Sequence, residues 1–349
     1  MVVNSSFRAP RGLRSGHLQS ILNLVLRRDF DLDAISRPSA ILVPTDDDSG
    51  DRLAVTLHSP NGTDSPSRRS PALVLLVHGL GGSAESKYVR ATALALLRAG
   101  FAVARVDLRS AGASKPTTTN TYHAGKTDDL RAVLGQLADS PEAIAEDGRP
   151  RLAIMGFSLG GAVTLKLLGE PLRGLPVYAG VSVSAPLDLV VGAEHLSRSA
   201  FGLYERAVLR GLRRDVREPA PDGGARLTPA EAAAVARARS LPEFDDVVTA
   251  PRHGFRDAGE YYALSSAAPY LSSITVPTLV IHALDDPMIP AAPYLAVDWE
   301  DLETRGPVRR AITAHGGHVG FHQRGRTMPW YTGRAVRFLA DSLPSLPGA

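Results

Sequence analysis

The sequence predicts an α/β fold, a mostly parallel central sheet flanked by helices, with a helical stretch inserted after the sixth strand. Short, continuous apolar runs alternate with helical patterns from residue 72 onward, as strands covered on both faces require. Between one such run and the next helix lies Gly156-Phe157-Ser158-Leu159-Gly160, a G-x-S-x-G pattern in the strand–turn–helix setting that gives it meaning. Acidic and histidine-rich segments then follow the last two apolar runs, at the strand ends where parallel sheets place their sites.

Taken in order, "AILVPTDDDSGDRLAVTLHSP" (40–60) reads as two strands around an Asp/Gly turn. Its acidic tip does not fit a calcium loop, because Gly50 is fifth rather than sixth from Asp46 and no terminal Glu follows. "NGTDSPSRRSP" (61–71) is a polar loop. Strands are expected at 72–79, 101–108, 151–158 and 177–186, with helices at 85–99, 125–139 and 159–169. Alternation of this kind implies right-handed crossovers. The rhythm breaks over 188–270, where helical stretches and polar loops hold no buried strand. One of them, 228–240, opens with Thr228 as N-cap and Pro229 as first helical residue. Strands resume at 278–284 and 308–315, and a helix near 329–342 closes the chain. The expected organisation is a core over 1–187, a helical lid over 188–270, and a second core segment over 271–349.

Composition narrows the functional classes. With 44% hydrophobic and 21% charged residues over 349 positions, the chain is an ordinary globular one. A net charge of +3, carried by scattered arginines, argues against a nucleic-acid partner. The basic stretch "RGLRRDVR" (210–217) reads as a solvated helix face. Cysteine is absent, which excludes disulfides, zinc thiolates and thiol nucleophiles together and fits a reducing compartment. "MVVNSSFRAPRGLRSGHLQS" lacks the apolar core of a signal peptide, and no apolar run of membrane-spanning length occurs. The amphipathic "LQSILNLVLRR" is expected to pack against its own domain. A soluble, cytoplasmic protein without stable membrane insertion is the expectation, and no sequence feature specifies an oligomeric state.

At the strand ends, Ser158 is the candidate nucleophile. The glycines beside it allow a sharp turn that exposes the hydroxyl, and the following helix aims its N-terminus at developing negative charge. A serine hydroxyl needs a base and an orienting acid, which in this architecture follow in the order acid, then histidine. "HALDDPMIP" (282–290) offers Asp285 and Asp286. "HGGHVGFH" (315–322) offers His315, His318 and His322. Asp286 is favoured over Asp285, since the turn through Pro287 and Pro290 aims its carboxylate across the sheet. His318 is favoured over His315, since Gly316 and Gly317 carry it to a loop tip. His322 is read as structural or exposed. Three histidines could ligate zinc, but the spacings and carboxylates of zinc hydrolases are absent. The Gly-rich turn in "VHGLGGSAESKY" (77–88) supplies an oxyanion donor at the Leu80 N–H, with Leu159 N–H as the second. His78 is expected to brace that loop.

With these residues assembled, the chain resembles the α/β-hydrolase superfamily and, within it, the YheT-like branch of esterases. "FRAPRGLRSGHLQSIL", "HGLGGSAESKY", "YHAGKTDDL", "GFSLGG", "VSAPLDL", "FDDVVTAPRHGFRDAGEYYALSSA", "HALDDP" and "HGGHVGF" occur in that branch's order, over nearly the whole length. The resemblance implies a triad of Ser158, Asp286 and His318 and a carboxylic-ester hydrolase; the expected partner is a small-molecule ester, with lipid-like esters among the candidates. No metal or organic cofactor is expected. An acyltransferase would use the same residues, and a catalytically silent binding protein would keep the fold without the chemistry. Nothing in the insertion marks the amine pocket of a peptidase.

Overall fold

The computed structural model describes residues 7–26, 29–61, 69–218 and 226–344. Among them, eight strands form one sheet: β1 (Ser36–Pro44), β2 (Arg52–Pro60), β3 (Leu73–Val77), β4 (Ala102–Val106), β5 (Leu152–Phe157), β6 (Val177–Val183), β7 (Thr278–Ala283) and β8 (Val308–Thr313). Their order is β1-β2-β4-β3-β5-β6-β7-β8. From β4 to β8 all neighbours are parallel, while β2 joins β4 antiparallel and β1 closes that edge as a hairpin.

The packing explains the uniformly apolar strands. In β3, Leu73, Leu75 and Val77 enter the apolar layer on one face, whereas Val74 and Leu76 enter the other. β5 does the same with Leu152 and Ile154 against Ala153, Met155 and Phe157. Covered on both sides, such strands lose the alternation of a half-exposed sheet. All six of the buried strands expected from the sequence end one to three residues early, β6 most of all. β6 stops at Val183 because Ser184 turns the chain at φ 53°, and β8 stops at Thr313. The helix expected over 228–240 covers Pro229–Arg237, opened by a reciprocal cap between Thr228 and Glu231. It ends there because Ser240 accepts the Glu243 N–H and starts a new helix, Leu241–Phe244.

The acidic hairpin tip is closed by an arginine. Arg109, fully buried, makes two bonds to Asp129 (2.7 and 2.8 Å) and one each to Asp51 and Asp47 (both 2.6 Å). The loop expected at 61–71 lies mostly outside the described residues.

Between β6 and β7 the described chain is helical: Leu189–Arg198, Leu203–Arg217, Pro229–Arg237, a run from Leu241 to Arg252, and Ala258–Ser265. Part of this insertion packs on itself, with Leu209, Val216, Leu227, Val235, Phe244 and Val248 forming a small separate core. It is tied to loops leaving the carboxyl ends of the strands. The Arg226 guanidinium donates to the carbonyls of Lys115, Thr118 and Thr119, Ala124 N–H donates to the Tyr261 hydroxyl, and Ser199 Oγ donates to the Pro287 carbonyl.

Candidate active site

β3, β5, β6, β7 and β8 lie side by side, so the loops after β3, β5, β7 and β8 meet at one rim of the sheet. The registers bring their ends level, Val77 opposite Gly156 and Ala283 opposite Thr313. Ser158 follows β5 directly with φ 52° and ψ −124°, a conformation that costs a side-chain-bearing residue about 1–3 kcal/mol. Its surroundings hold it there. A Cβ at Gly156 would meet Gly160 O at 2.2 Å, and one at Gly160 would meet His78 O at 2.3 Å. The two glycines of the pattern therefore serve close backbone approach.

His318 lies opposite the serine. Its Nε2 is 3.0 Å from Ser158 Oγ and its Nδ1 is 2.9 Å from Asp286 Oδ2. Asp286 is buried, and its other oxygen accepts the Met288 and Ile289 N–H groups at 2.8 and 3.0 Å. Burial works to raise this carboxyl, but the His318 charge and hydrogen bond, with lesser help from His282 and the Ile289 N–H, hold it below the usual carboxylate range. Behind it, buried His282 stacks on Tyr294 with ring centroids 3.7 Å apart, and burial lowers it to about 4. It is therefore neutral near pH 7, which leaves His318 as the group that shares a proton with Asp286.

The other members of the two clusters go elsewhere. Asp285 accepts the Gly317 N–H at 2.9 Å and lies 3.2 Å from His315 Nδ1, a pair that braces the histidine loop. His322 is buried, and its N–H donates to Gln19 Oε1. Among the described residues no three His, Asp or Glu side chains converge as a metal site needs.

The loop after β3 is positioned by buried polar groups. His78 Nε2 accepts the Leu108 N–H, so its Nδ1 carries the proton that bonds Gly79 O at 2.8 Å; burial keeps the ring neutral. Tyr88 and Tyr122 hydroxyls accept the N–H groups of Gly79 and Gly81 at 2.9 and 2.6 Å. The Leu80 N–H between them, like the Leu159 N–H, has no protein acceptor among the described residues. A Cβ at Gly79 would meet Ser158 Cβ at 2.8 Å, so glycine is what lets this loop come up to the serine.

Sequence reasoning missed the helix Gly16–Val25 as part of the site. Ser20 Oγ accepts the His318 N–H at 2.7 Å, and Asn23 Nδ2 donates to Val319 O at 2.7 Å and His318 O at 3.3 Å. Gln19 and Asn23, one turn apart, were a readable polar stripe. Nothing local says that this stripe, rather than the apolar one, faces the protein.

The profile of the alpha/beta hydrolase family matches residues 74–328. "Putative esterase YheT" of Escherichia coli (strain K12) is 32% identical over 319 residues, covering 91% of this chain and 87% of that one. "Medium-chain fatty acid ethyl ester synthase/esterase 2" of Saccharomyces cerevisiae is 30% identical over 271 residues, or 71% of this chain, which spans only 58% of the yeast protein. Among solved structures, the Pyrococcus furiosus esterase Pf2001 superposes with a TM-score of 0.59 at 18% identity, covering 91% of this chain and 98% of that one, a likeness of fold. The chain belongs to the alpha/beta hydrolase family, as a carboxylic-ester hydrolase of its YheT-like branch.

Proposed function

We propose that Ser158, His318 and Asp286 hydrolyse a short- to medium-chain acyl ester through a covalent acyl-serine. His318 Nε2 takes the Ser158 proton as Oγ bonds to the ester carbonyl carbon. The carbonyl electron pair moves onto oxygen, which rests on the Leu80 and Leu159 N–H groups. Collapse breaks the C–O bond to the leaving alcohol, which receives the proton from His318. Water, deprotonated by the same nitrogen, then attacks the acyl-serine and releases the acid. Asp286 holds the Nδ1–H tautomer and stabilises the imidazolium. Each oxyanion donor contributes about 2.7–4 kcal/mol to the transition state. The helical insertion over 188–270 acts as the lid, consistent with its ties to the loops at the carboxyl rim.

The observation that carries this reading is the continuous hydrogen-bonded line from Ser158 Oγ through His318 to Asp286, at 3.0 and 2.9 Å. Ser158→Ala is expected to abolish hydrolysis of short p-nitrophenyl esters and labelling by a fluorophosphonate probe. Full activity in that variant overturns the assignment. A second reading, acyl transfer to an alcohol in place of water, is favoured by the yeast relative named both synthase and esterase. Ethyl ester among the products when ethanol is added separates the two.

A further inference from the structure

The helix Gly16–Val25 is mounted with its polar side inward. Gln19 and Ser20 are buried, while Leu18, Ile21 and Val25 are 46%, 42% and 60% exposed. At 100° per residue those three fall within a narrow arc, a single apolar stripe facing out. Water alone gives no reason for this orientation, because an amphipathic helix on its own domain buries the apolar side.

The stripe has neighbours of matching character. His17 Nδ1 lies 2.8 Å from the Tyr204 hydroxyl and the two rings stack, so the helix adjoins the start of the insertion helix Leu203–Arg217. The turn before that helix runs through three consecutive residues at positive φ, Ala200, Phe201 and Gly202 (47°, 56° and 75°). It leaves Phe201 93% and Leu203 59% exposed. Along the same helix, Arg206, Arg210, Arg213, Arg214 and Arg217 join Arg239, with Glu218 as the one carboxylate among them, around a concavity of about 950 Å³. Arg214 pairs with Asp215 and Arg213 donates to Ala238 O. Arg206, Arg210 and Arg217 have no carboxylate partner among the described residues. The turn that opens this helix borders the site, since Ser199 is hydrogen-bonded to the residue after Asp286.

We infer that this surface docks on an anionic phospholipid bilayer, with the apolar stripe and Phe201 entering the interfacial layer and the arginines meeting lipid phosphates. Apolar side chains beside a strongly basic face are the two components of reversible interfacial binding. No helix among the described residues is long and apolar enough to cross a membrane, so contact is with one leaflet. The inference extends the proposed ester hydrolysis by delivering lipid esters to the rim from the bilayer side, but it is tested by binding, not turnover.

The full chain is mixed with phosphatidylglycerol or phosphatidylcholine vesicles and sedimented at low and high salt. Binding to phosphatidylglycerol at least tenfold tighter than to phosphatidylcholine, and weakened by salt, is the expected result. Each arginine near an anionic leaflet is worth about fivefold in partitioning, so Arg206→Gln/Arg210→Gln/Arg217→Gln is expected to lose on the order of a hundredfold. Ile21→Ser/Phe201→Ser removes the apolar contact and is expected to weaken binding at least tenfold, with both variants retaining the parent's circular dichroism and melting temperature. Absence of sedimentation, or equal binding to the two lipids, overturns the inference. Inorganic pyrophosphate bound by the protein, with vesicles left in solution, also overturns it and makes the concavity a site for a soluble anion. Whatever Ser158→Ala does to hydrolysis, none of these readouts changes.

Discussion

Asp286→Asn separates charge from shape at one oxygen. In the native site Oδ1 accepts two main-chain N–H groups, from Met288 and Ile289, and Oδ2 faces His318 Nδ1. The amide of an asparagine has one acceptor oxygen and one donor nitrogen. Two donors on the loop side fix its oxygen there, so the NH2 must face His318. An NH2 group cannot accept the Nδ1 proton, and the imidazole is driven to carry its proton on Nε2. That nitrogen then donates to Ser158 Oγ instead of accepting from it, and the base is lost. Reversal of the tautomer in this constellation costs about 10⁴ in kcat, or about 5 kcal/mol of transition-state stabilisation. Both loop N–H groups stay satisfied, so the melting temperature is expected to stay near that of the parent. Asp286→Ala, by contrast, orphans both, at about 1–3 kcal/mol each. Steady-state hydrolysis of a p-nitrophenyl ester, paired with thermal melts of both variants, makes the check. If Asp286→Asn keeps kcat within tenfold of the parent while folded, the tautomer reasoning fails.

The remaining predictions concern parts of the chain that hold the site in place. Ser20→Ala removes the acceptor for the His318 N–H; kcat is expected to fall about 10- to 100-fold at little-changed KM, with recovery in Ser20→Thr, and an unchanged kcat removes the helix from the site. Arg109→Leu leaves Asp129 and Asp51 buried without their cation and is expected to cost about 3–5 kcal/mol in denaturant unfolding at pH 7. Burial already raises the Asp129 carboxyl against the pull of Arg109, so the deficit should shrink as the pH falls and that group takes a proton. A loss under 1 kcal/mol at pH 7 refutes the account. Asp245, buried, is pushed up to about 6 by burial despite hydrogen bonds from Thr249 and Tyr262. A folded-state pKa above the unfolded value gives stability that is whole below about pH 4 and lost as pH rises through about 6. Asp245→Asn is therefore expected to stabilise the protein by up to about 3 kcal/mol at pH 8 and by nothing near pH 4. Equal melting-temperature gains at both pH values would contradict it.

Much of the molecule was decided locally and so was legible in the chain. The Thr228 cap depends on residues a few positions apart, and the apolar runs and the Gly156–Gly160 pattern are signatures a segment displays by itself, even though the layers that cover the strands and the His78 carbonyl that crowds Gly160 lie far away in the chain. The sequence also narrowed the acid to two neighbouring aspartates and the base to a short loop. Within those sets the turns through Pro287 and Pro290 and through Gly316 and Gly317 already favoured Asp286 and His318; what the tertiary structure added is which acid meets which histidine. Asp285 and Asp286 differ by one position, and only the placement of β7 beside β8 sends one carboxylate to His315 and the other to His318. Arg109 looked like any strand-end arginine until β2, β4 and the helix Thr127–Ala138 brought Asp51, Asp47 and Asp129 around it. Most tellingly, the first helix showed its two faces in the sequence, yet which one meets the domain was set by unpaired backbone groups on a loop some 300 residues away. Periodicity and turn chemistry are properties of a segment; hydrogen-bond complementarity belongs to pairs of surfaces, which exist only once the chain has folded.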